Sequence, residues 1–298
     1  MQTSMKLETI RQITETTSLA TNDSGLEFLV ISRPESEAII SLFGAHLVHF
    51  APRNQNPWFW LSPAAVLDGS RGIRGGVPIC WPWFGPSPER VGTGKVQHGF
   101  ARTALWQLDG ISDTAEGTLI HLSLQDSEAS RTIWPHAFSL EYDLLITEEL
   151  TLLLTTRNTG DSPLVYGGAL HSYFTISDPE SVSVQGLGAS YIDKLDQMLE
   201  KQSEQLRVNG PLDRIYNQPE SVTEFVTGAH TLQLRHGHAD SVVVWTPWVE
   251  GAHAMNDVND EAWQQMLCVE TAITSPAGVT VQPDDEHSLS VKISGNQR

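Results

Sequence analysis

Short runs of alternating or β-branched residues recur along this chain, separated by clusters of Gly, Pro, Asn and Asp, and this spacing constrains the fold more than any other feature. In Phe138–Ile146 every second residue is apolar, which is the period-2 pattern of a half-buried strand. We predict strands at Leu26–Ser32, Ala38–Leu42, Leu47–Phe50, Leu119–Leu124, Phe138–Ile146, Thr151–Thr156, Val165–Phe174, Val182–Val184, Thr231–Leu234, Val242–Trp245, Met266–Thr271 and Leu289–Ile293.

Helical signals are weak in this sequence. Asn259–Gln265 could form a turn or two, and Asp196–Leu206 is polar with little periodicity, so neither predicts the crossover helix of a βαβ unit. We therefore predict an all-β fold, a large antiparallel β-sandwich with functional loops at its edges. The chain shows no interdomain linker or internal repeat, so we expect one domain over residues 1–298, with 1–22 as a peripheral segment.

The charge balance limits the classes of partner. The formal net charge is −18, and the 18 basic residues form no run, which argues against nucleic-acid binding because phosphate backbones are held by clustered Lys and Arg. An acidic surface also repels anionic small molecules, so any phosphate site needs arginines of its own. Met1–Ala20 lacks the pattern of a signal peptide and no 18-residue apolar run occurs, so we expect a cytoplasmic protein without membrane segments.

The segment Ile73–Pro86 contains three prolines, three glycines and three aromatic residues, which excludes an ordinary strand and predicts a shaped loop. Its rings would anchor the loop or line a pocket, and an aromatic plug with Arg74 at its surface is the structural alternative. A glycine-containing loop at 91–95 then precedes Gln97–Arg102, which brings a second arginine. Arg74 and Arg102 could together bind a phosphate, although two solvated surface arginines are the simpler interpretation.

Two polar residues interrupt apolar strands. His171 follows Tyr166–Leu170, where a core histidine bonded to a neighbouring tyrosine or carbonyl is the alternative to a functional one. Glu270 lies inside the otherwise apolar Met266–Ala272, where an ionised carboxylate is costly unless it is paired or faces a pocket. Because burial raises the pKa of a glutamate towards the range of a general base, Glu270 is the stronger candidate. Two cysteines are too few for a disulfide framework and are predicted as small buried hydrophobes: Cys80 and Cys268.

Five short motifs resemble the aldose 1-epimerase superfamily, most closely its glucose-6-phosphate 1-epimerase (hexose-6-phosphate mutarotase) branch. They occur in the family's order: Arg74 with its following Gly-Gly-Val-Pro, His98–Arg102, Leu170–Phe174, Asp213–Tyr216 and Cys268–Ala272. The resemblance implies a galactose mutarotase-like supersandwich that interconverts the α and β anomers of an aldohexose phosphorylated at C6. It implies no cofactor and no metal, and we expect a monomer whose partner is a small-molecule sugar phosphate.

The resemblance also implies roles for individual residues. His171 matches the general acid of the family and Glu270 its general base. Four further positions match substrate-binding residues, and His98 falls beside them in the pocket: Arg74, Gln97, Arg102 and Asp213.

Three alternatives remain open from the sequence. The protein could be an aldose 1-epimerase acting on unphosphorylated sugars, or a non-catalytic sugar-binding or regulatory protein of the same fold. A cupin-like metal enzyme is suggested by His236 and His238, which have the spacing of two ligands on one strand face, although an exposed hairpin is simpler. Asp213 could cap a turn after Pro211 rather than bind sugar.

Overall fold

Strands are the dominant secondary structure of the computed structural model, which describes residues 5–88 and 96–297. The strands are β1 (Glu8–Gln12), β2 (Thr17–Thr21), β3 (Glu27–Ser32), β4 (Ser36–Ser41), β5 (His46–Pro52), β6 (Ile79–Cys80), β7 (Gln107–Asp113), β8 (Thr118–Gln125), β9 (Phe138–Ile146), β10 (Leu150–Asn158), β11 (Leu164–Tyr166), β12 (Gly168–Leu170), β13 (Tyr173–Thr175), β14 (Ser183–Gln185), β15 (Ser190–Asp193), β16 (Leu199–Gln202), β17 (Leu212–Asn217), β18 (Val222–Val226), β19 (His230–Gly237), β20 (Ser241–Thr246), β21 (Met266–Ile273), β22 (Val279–Val281) and β23 (Glu286–Gln297). The helical elements are α1 (Glu128–Ile133), α2 (Trp248–His253) and the 3₁₀ turns Ala101–Thr103, Pro179–Ser181 and Ala262–Gln264. In the part of the chain that is described, no helix is long and apolar enough to cross a membrane.

The strands form antiparallel sheets, as predicted. One eight-stranded sheet has the order β14-β18-β19-β23-β10-β9-β8-β7, and a second has the order β16-β15-β17-β20-β21-β12-β6, with β13 also paired to β21. A five-stranded sheet, β1-β2-β3-β4-β5, and the pair β11-β22 complete the set. β1 is exposed along its length, whereas β2 is partly buried and pairs with β3.

The two large sheets share one apolar core. β9 supplies it with the alternating residues expected from the sequence, from Phe138 to Ile146. Trp81 follows β6 in the second sheet and is fully buried, with its ring centroid 4.6 Å from that of Phe138. Its indole N–H donates a hydrogen bond to Thr156 Oγ1 of β10 at 3.0 Å, so the ring joins the two sheets.

One sequence prediction about a strand needs correction. Val165–Phe174 is not one strand but three short ones, β11, β12 and β13, because the N–H of Gly167 bonds Pro82 and the N–H of His171 bonds Pro78. His171 therefore lies between two strands rather than within one. The polar segment Asp196–Leu206, where no crossover helix was expected, contains the strand β16, which pairs with β15.

Candidate active site

The Gly-rich segment that carries Arg74 lies directly against the segment that carries His171. The N–H of Tyr173 donates to Gly76 O at 2.9 Å, and the N–H of His171 donates to Pro78 O at 3.0 Å. Gly76 has a positive φ of 59°, and a Cβ there would lie 2.2 Å from Leu47 O. Glycine is needed at this position because the chain passes so close to β5.

His171 and Glu270 face each other at the centre of the site. Glu270 is on β21 and is 1% exposed, and His171 is 9% exposed. The distance from His171 Nε2 to Glu270 Oε1 is 3.5 Å, which is within ion-pair range. Among the described residues neither Glu270 oxygen nor His171 Nδ1 has a hydrogen-bond partner. Buried polar atoms without a partner are rare in proteins, and catalytic sites are one of the settings in which they occur.

Burial opposes the charged form of both groups. It raises the pKa of Glu270 well above its ordinary value, and the nearby Asp213 carboxylate adds to the effect. Burial also lowers the pKa of His171 well below its ordinary value, and His98, Arg74 and Arg102 add to that shift. The two groups therefore favour a state in which they hold one proton between them. The alternative of a core histidine bonded to a neighbouring tyrosine or carbonyl is wrong, because His171 Nδ1 has no partner among the described residues and Nε2 faces Glu270.

His98 and Phe84 form one wall beside His171. The ring centroids of His98 and His171 are 5.6 Å apart, and Phe84 packs edge-on against His98 at 4.9 Å. Gly85 N–H donates to His98 Nδ1 at 3.2 Å, so neutral His98 carries its proton on Nε2. Burial lowers the pKa of His98 to about 3, with Arg102, Lys194 and Arg74 contributing, so this imidazole is neutral at physiological pH.

Arg74 is held at two points near His171. Its Nη1 donates to Tyr173 Oη at 2.9 Å, and its Nη2 lies 3.3 Å from Asp257 Oδ2. Its Nε is buried and has no partner among the described residues. Because Asp257 offsets the charge of Arg74, this guanidinium offers an anion hydrogen bonds more than net charge.

Arg102 differs from Arg74 in its surroundings. Its Nη2 donates to the carbonyl of Gln97 at 2.9 Å, and within residues 5–88 and 96–297 it forms no ion pair with a carboxylate. Its Nε is also buried without a partner in that part of the chain. Gln97 is exposed at the edge of the site, and the 91–95 loop predicted before it lies outside the described residues.

Asp213 approaches Glu270 from β17 and is paired with Lys194. The Lys194 Nζ lies 2.8 Å from Asp213 Oδ2 and 5.6 Å from the ring centroid of Phe84. Burial raises the pKa of Asp213, whereas the bond to Lys194 opposes that rise. Asp213 is a strand residue paired with a cation, so the turn-capping alternative is wrong.

Both cysteines lie inside the protein, and Cys268 is close to His171 and Glu270. Cys80 and Cys268 are free and buried, as predicted. Donor atoms of His171, Cys268 and Glu270 lie within 4.8 Å of one another, and burial raises the pKa of the Cys268 thiol well above its ordinary value.

His236 and His238 do not face a common site. His236 is hydrogen-bonded by Thr223 and Thr271 at 2.9 Å each, while His238 is exposed and bonds Ser288 O at 3.1 Å. The cupin-like interpretation of this pair is therefore wrong.

Sequence reasoning missed several neighbours of the predicted residues. Tyr173 and Phe84 lie inside motifs that were singled out, yet neither was assigned to the site. Asp257 and Lys194 gave no signal, because each lies in a loop where charged residues are ordinary.

The fold and the site together define an antiparallel β-sandwich with a buried carboxylate–imidazole pair beside two arginines. The family model described as Aldose 1-epimerase matches residues 27–294. The chain belongs to the aldose 1-epimerase family, and it is an epimerase, an isomerase of sugars.

Individual relatives agree with this assignment. The chain is 34% identical to the "Putative glucose-6-phosphate 1-epimerase" of Salmonella typhimurium over 279 residues, which cover 92% of each chain. It is 32% identical to a protein of the same name from Escherichia coli, with 90% of each chain covered. A crystal structure titled as a "putative mutarotase" from Salmonella typhimurium superposes with a TM-score of 0.91 at 31% identity, covering 98% of this chain and 97% of that one.

Proposed function

We propose that this protein is a hexose-6-phosphate mutarotase, which interconverts the α and β anomers of glucose-6-phosphate or a related aldohexose 6-phosphate. The observation that carries the proposal is the facing pair of His171 and Glu270, 3.5 Å apart and buried beside two arginines. Arginines in the pocket of a chain with a net charge of −18 support an anionic substrate. The names of the relatives from Salmonella typhimurium and Escherichia coli point to the same substrate.

The chemistry requires one proton to leave the sugar and one to arrive. Glu270, as the carboxylate, takes the proton of the C1 hydroxyl, while His171, as the imidazolium, gives a proton to the ring oxygen. The bond between C1 and the ring oxygen breaks, and C1 becomes an aldehyde. The aldehyde rotates and the C5 hydroxyl closes on its other face, with the two groups exchanging roles, so neither group needs external regeneration. Each well-placed proton transfer contributes roughly 10²–10⁴-fold.

The empty site and the reacting site differ in where the shared proton lies. Burial favours a protonated Glu270 and a neutral His171 before substrate binds. A bound sugar donates its C1 hydroxyl to the carboxylate and accepts from the imidazolium at its ring oxygen. These two hydrogen bonds stabilise the ion pair, so the reactive form is populated when substrate is present.

The remaining residues hold the sugar while C1 rotates. We assign the phosphate to Arg102 and Arg74, because their partnerless Nε atoms and remaining N–H groups can donate to its oxygens. Asp213 and Lys194 offer an acceptor and a donor for sugar hydroxyls. Anchoring the remote phosphate supplies orientation at the reacting carbon. All these residues belong to one chain, and we propose that one cytoplasmic domain acts as a monomer.

A second candidate is an epimerase of unphosphorylated sugars, which is favoured by the pairing of Arg74 with Asp257. Anomer-exchange NMR with glucose-6-phosphate, galactose-6-phosphate, glucose and galactose separates the two. We expect faster exchange for a 6-phosphate than for its free sugar. Equal rates would favour the second candidate, and exchange no faster than in buffer for all four sugars would contradict both.

A further inference from the structure

Tyr173 contacts both halves of the candidate site. Its hydroxyl accepts the hydrogen bond from Arg74 Nη1 at 2.9 Å, and its ring stacks on the imidazole of His171 with centroids 4.7 Å apart and planes within 10°. The side chain is 2% exposed. One residue therefore touches the arginine assigned to the phosphate and the imidazole assigned to the ring oxygen.

Neighbouring elements fix this ring in place. The Trp60 ring stacks on Tyr173 with centroids 6.1 Å apart and planes 29° apart, and Trp245 of β20 packs edge-on at 6.1 Å. The backbone is held as well, because Trp60 N–H donates to Tyr173 O at 2.8 Å and Tyr173 N–H donates to Gly76 O. A ring packed on this many sides cannot rotate freely, so the positions it imposes on its partners are well defined.

We propose that Tyr173 is a positioning residue that sets the orientation of the Arg74 guanidinium through its hydroxyl and the plane of the His171 imidazole through its ring. The inference rests on the proposed function for the identity of the substrate. With Nη1 held by Tyr173 and Nη2 by Asp257, the Arg74 fork is fixed in one plane, and its Nε and outer N–H groups are presented to the substrate anion. Fixing donors in advance reduces the ordering cost of binding.

Two substitutions separate the contributions of the hydroxyl and the ring. Tyr173→Phe keeps the stack and removes the hydrogen bond, so we expect KM and the calorimetric Kd for glucose-6-phosphate to rise about 5–10-fold with kcat nearly unchanged. Tyr173→Leu removes the stack as well, so we expect kcat to fall at least about tenfold because the imidazole is no longer held in plane.

Tyr216→Phe is the matched control, because Tyr216 of β17 is fully buried and its hydroxyl also accepts from an arginine, Arg214 Nη1, at 3.4 Å. It should leave KM and Kd unchanged. Loss of folded protein would lower kcat in proportion to the folded fraction and leave KM alone, so melting curves of all three variants identify that effect.

The outcomes distinguish this inference from the proposed function. If Tyr173→Phe matches the wild type in KM and Kd, or if Tyr216→Phe shows the same loss, the positioning role is wrong while the function stands. If the wild type binds glucose-6-phosphate without accelerating exchange and Tyr173→Phe still weakens binding, the positioning of Arg74 stands and the catalytic proposal fails. A wild type that neither binds nor converts the sugar phosphate overturns both.

Discussion

Glu270 Oε1 lies 3.5 Å from His171 Nε2 in the protein interior, where burial opposes the charge of each group. The pair can be neutral, with the proton on Glu270, or ionic, with the proton on His171, without gaining or losing a proton. This arrangement suits a reaction that removes a proton from one oxygen and supplies one to another. It also makes the activity depend on a titration that belongs to the pair rather than to either residue.

The pH profile follows from the direction of the two shifts. The active pair holds one proton, and acid inactivates it only when His171 protonates as well, at a pKa well below its ordinary 6.5. We therefore expect kcat/KM to stay flat between pH 6.5 and 5.5 and to fall at high pH, when Glu270 loses the last proton. An acid limb with an apparent pKa near 6.5 would contradict this account.

The choice of substrate matters for this profile because a phosphate ester itself titrates near pH 6. Glucose-6-sulfate, whose sulfate does not titrate in this range, is the suitable anion for the measurement. A limb seen with glucose-6-phosphate and absent with the sulfate belongs to the substrate.

Glu270→Gln should stabilise the fold at neutral pH. The folded pKa of Glu270 is raised above the unfolded value of about 4.5, so this group destabilises the protein as pH rises above that value. Glutamine carries no such penalty. We expect the melting temperature of the variant to exceed that of the wild type by about 2 °C or more at pH 7, with the gap shrinking towards pH 4.5. A gap that is constant with pH would show that Glu270 is not disfavoured as a carboxylate.

Arg102 should matter more than Arg74 for the anionic substrate, because Asp257 offsets the charge of Arg74 alone. We expect Arg102→Ala to lower kcat/KM for glucose-6-phosphate at least about tenfold and for glucose by less than about threefold, with a smaller ratio for Arg74→Ala. Arg102→Lys is the control for charge without the planar fork. Equal losses on both sugars would remove the argument for a phosphate site.

A substitution at Gly99 tests how tightly the backbone near Arg102 packs against Trp81. Its φ is 66°, and a Cβ there would lie 1.9 Å from Trp81 O. We expect Gly99→Ala to cost more than about 3 kcal/mol of unfolding free energy, whereas Gly25→Ala, with φ of 82° and open space around it, should cost about 1 kcal/mol. Urea titration measures the unfolding free energy of both variants. Similar losses would mean that the positive φ alone, and not the close contact with Trp81, explains the cost at Gly99.

Local patterns in the sequence predicted the features that depend on neighbouring residues, such as strand bounds and burial. The alternation in Phe138–Ile146 predicted β9 with its observed bounds, because every second side chain of such a strand faces the core. Glu270 was identified by its cost in an apolar strand, and it is buried as expected. The strand β17, which carries Asp213, was missed because Leu212–Asn217 contains two charged residues and no clear alternation.

Long-range pairing could not be predicted in this way. Val165–Phe174 looks like one strand, yet β11 pairs with β22, and β12 pairs with β21 and β6. The break at His171 depends on a hydrogen bond to Pro78, which lies far away in the sequence. In the same way, nothing near Asp257 indicates that its carboxylate holds Arg74.

Anomer-exchange NMR of glucose-6-phosphate with the wild type and Glu270→Gln at pH 7 tests the central claim most directly. Glutamine keeps the shape of the side chain and cannot accept the C1 proton, so we expect the exchange rate to fall at least about 10²-fold while calorimetry still detects binding of the sugar phosphate. A variant that exchanges the anomers at nearly the wild-type rate would show that Glu270 is not the base.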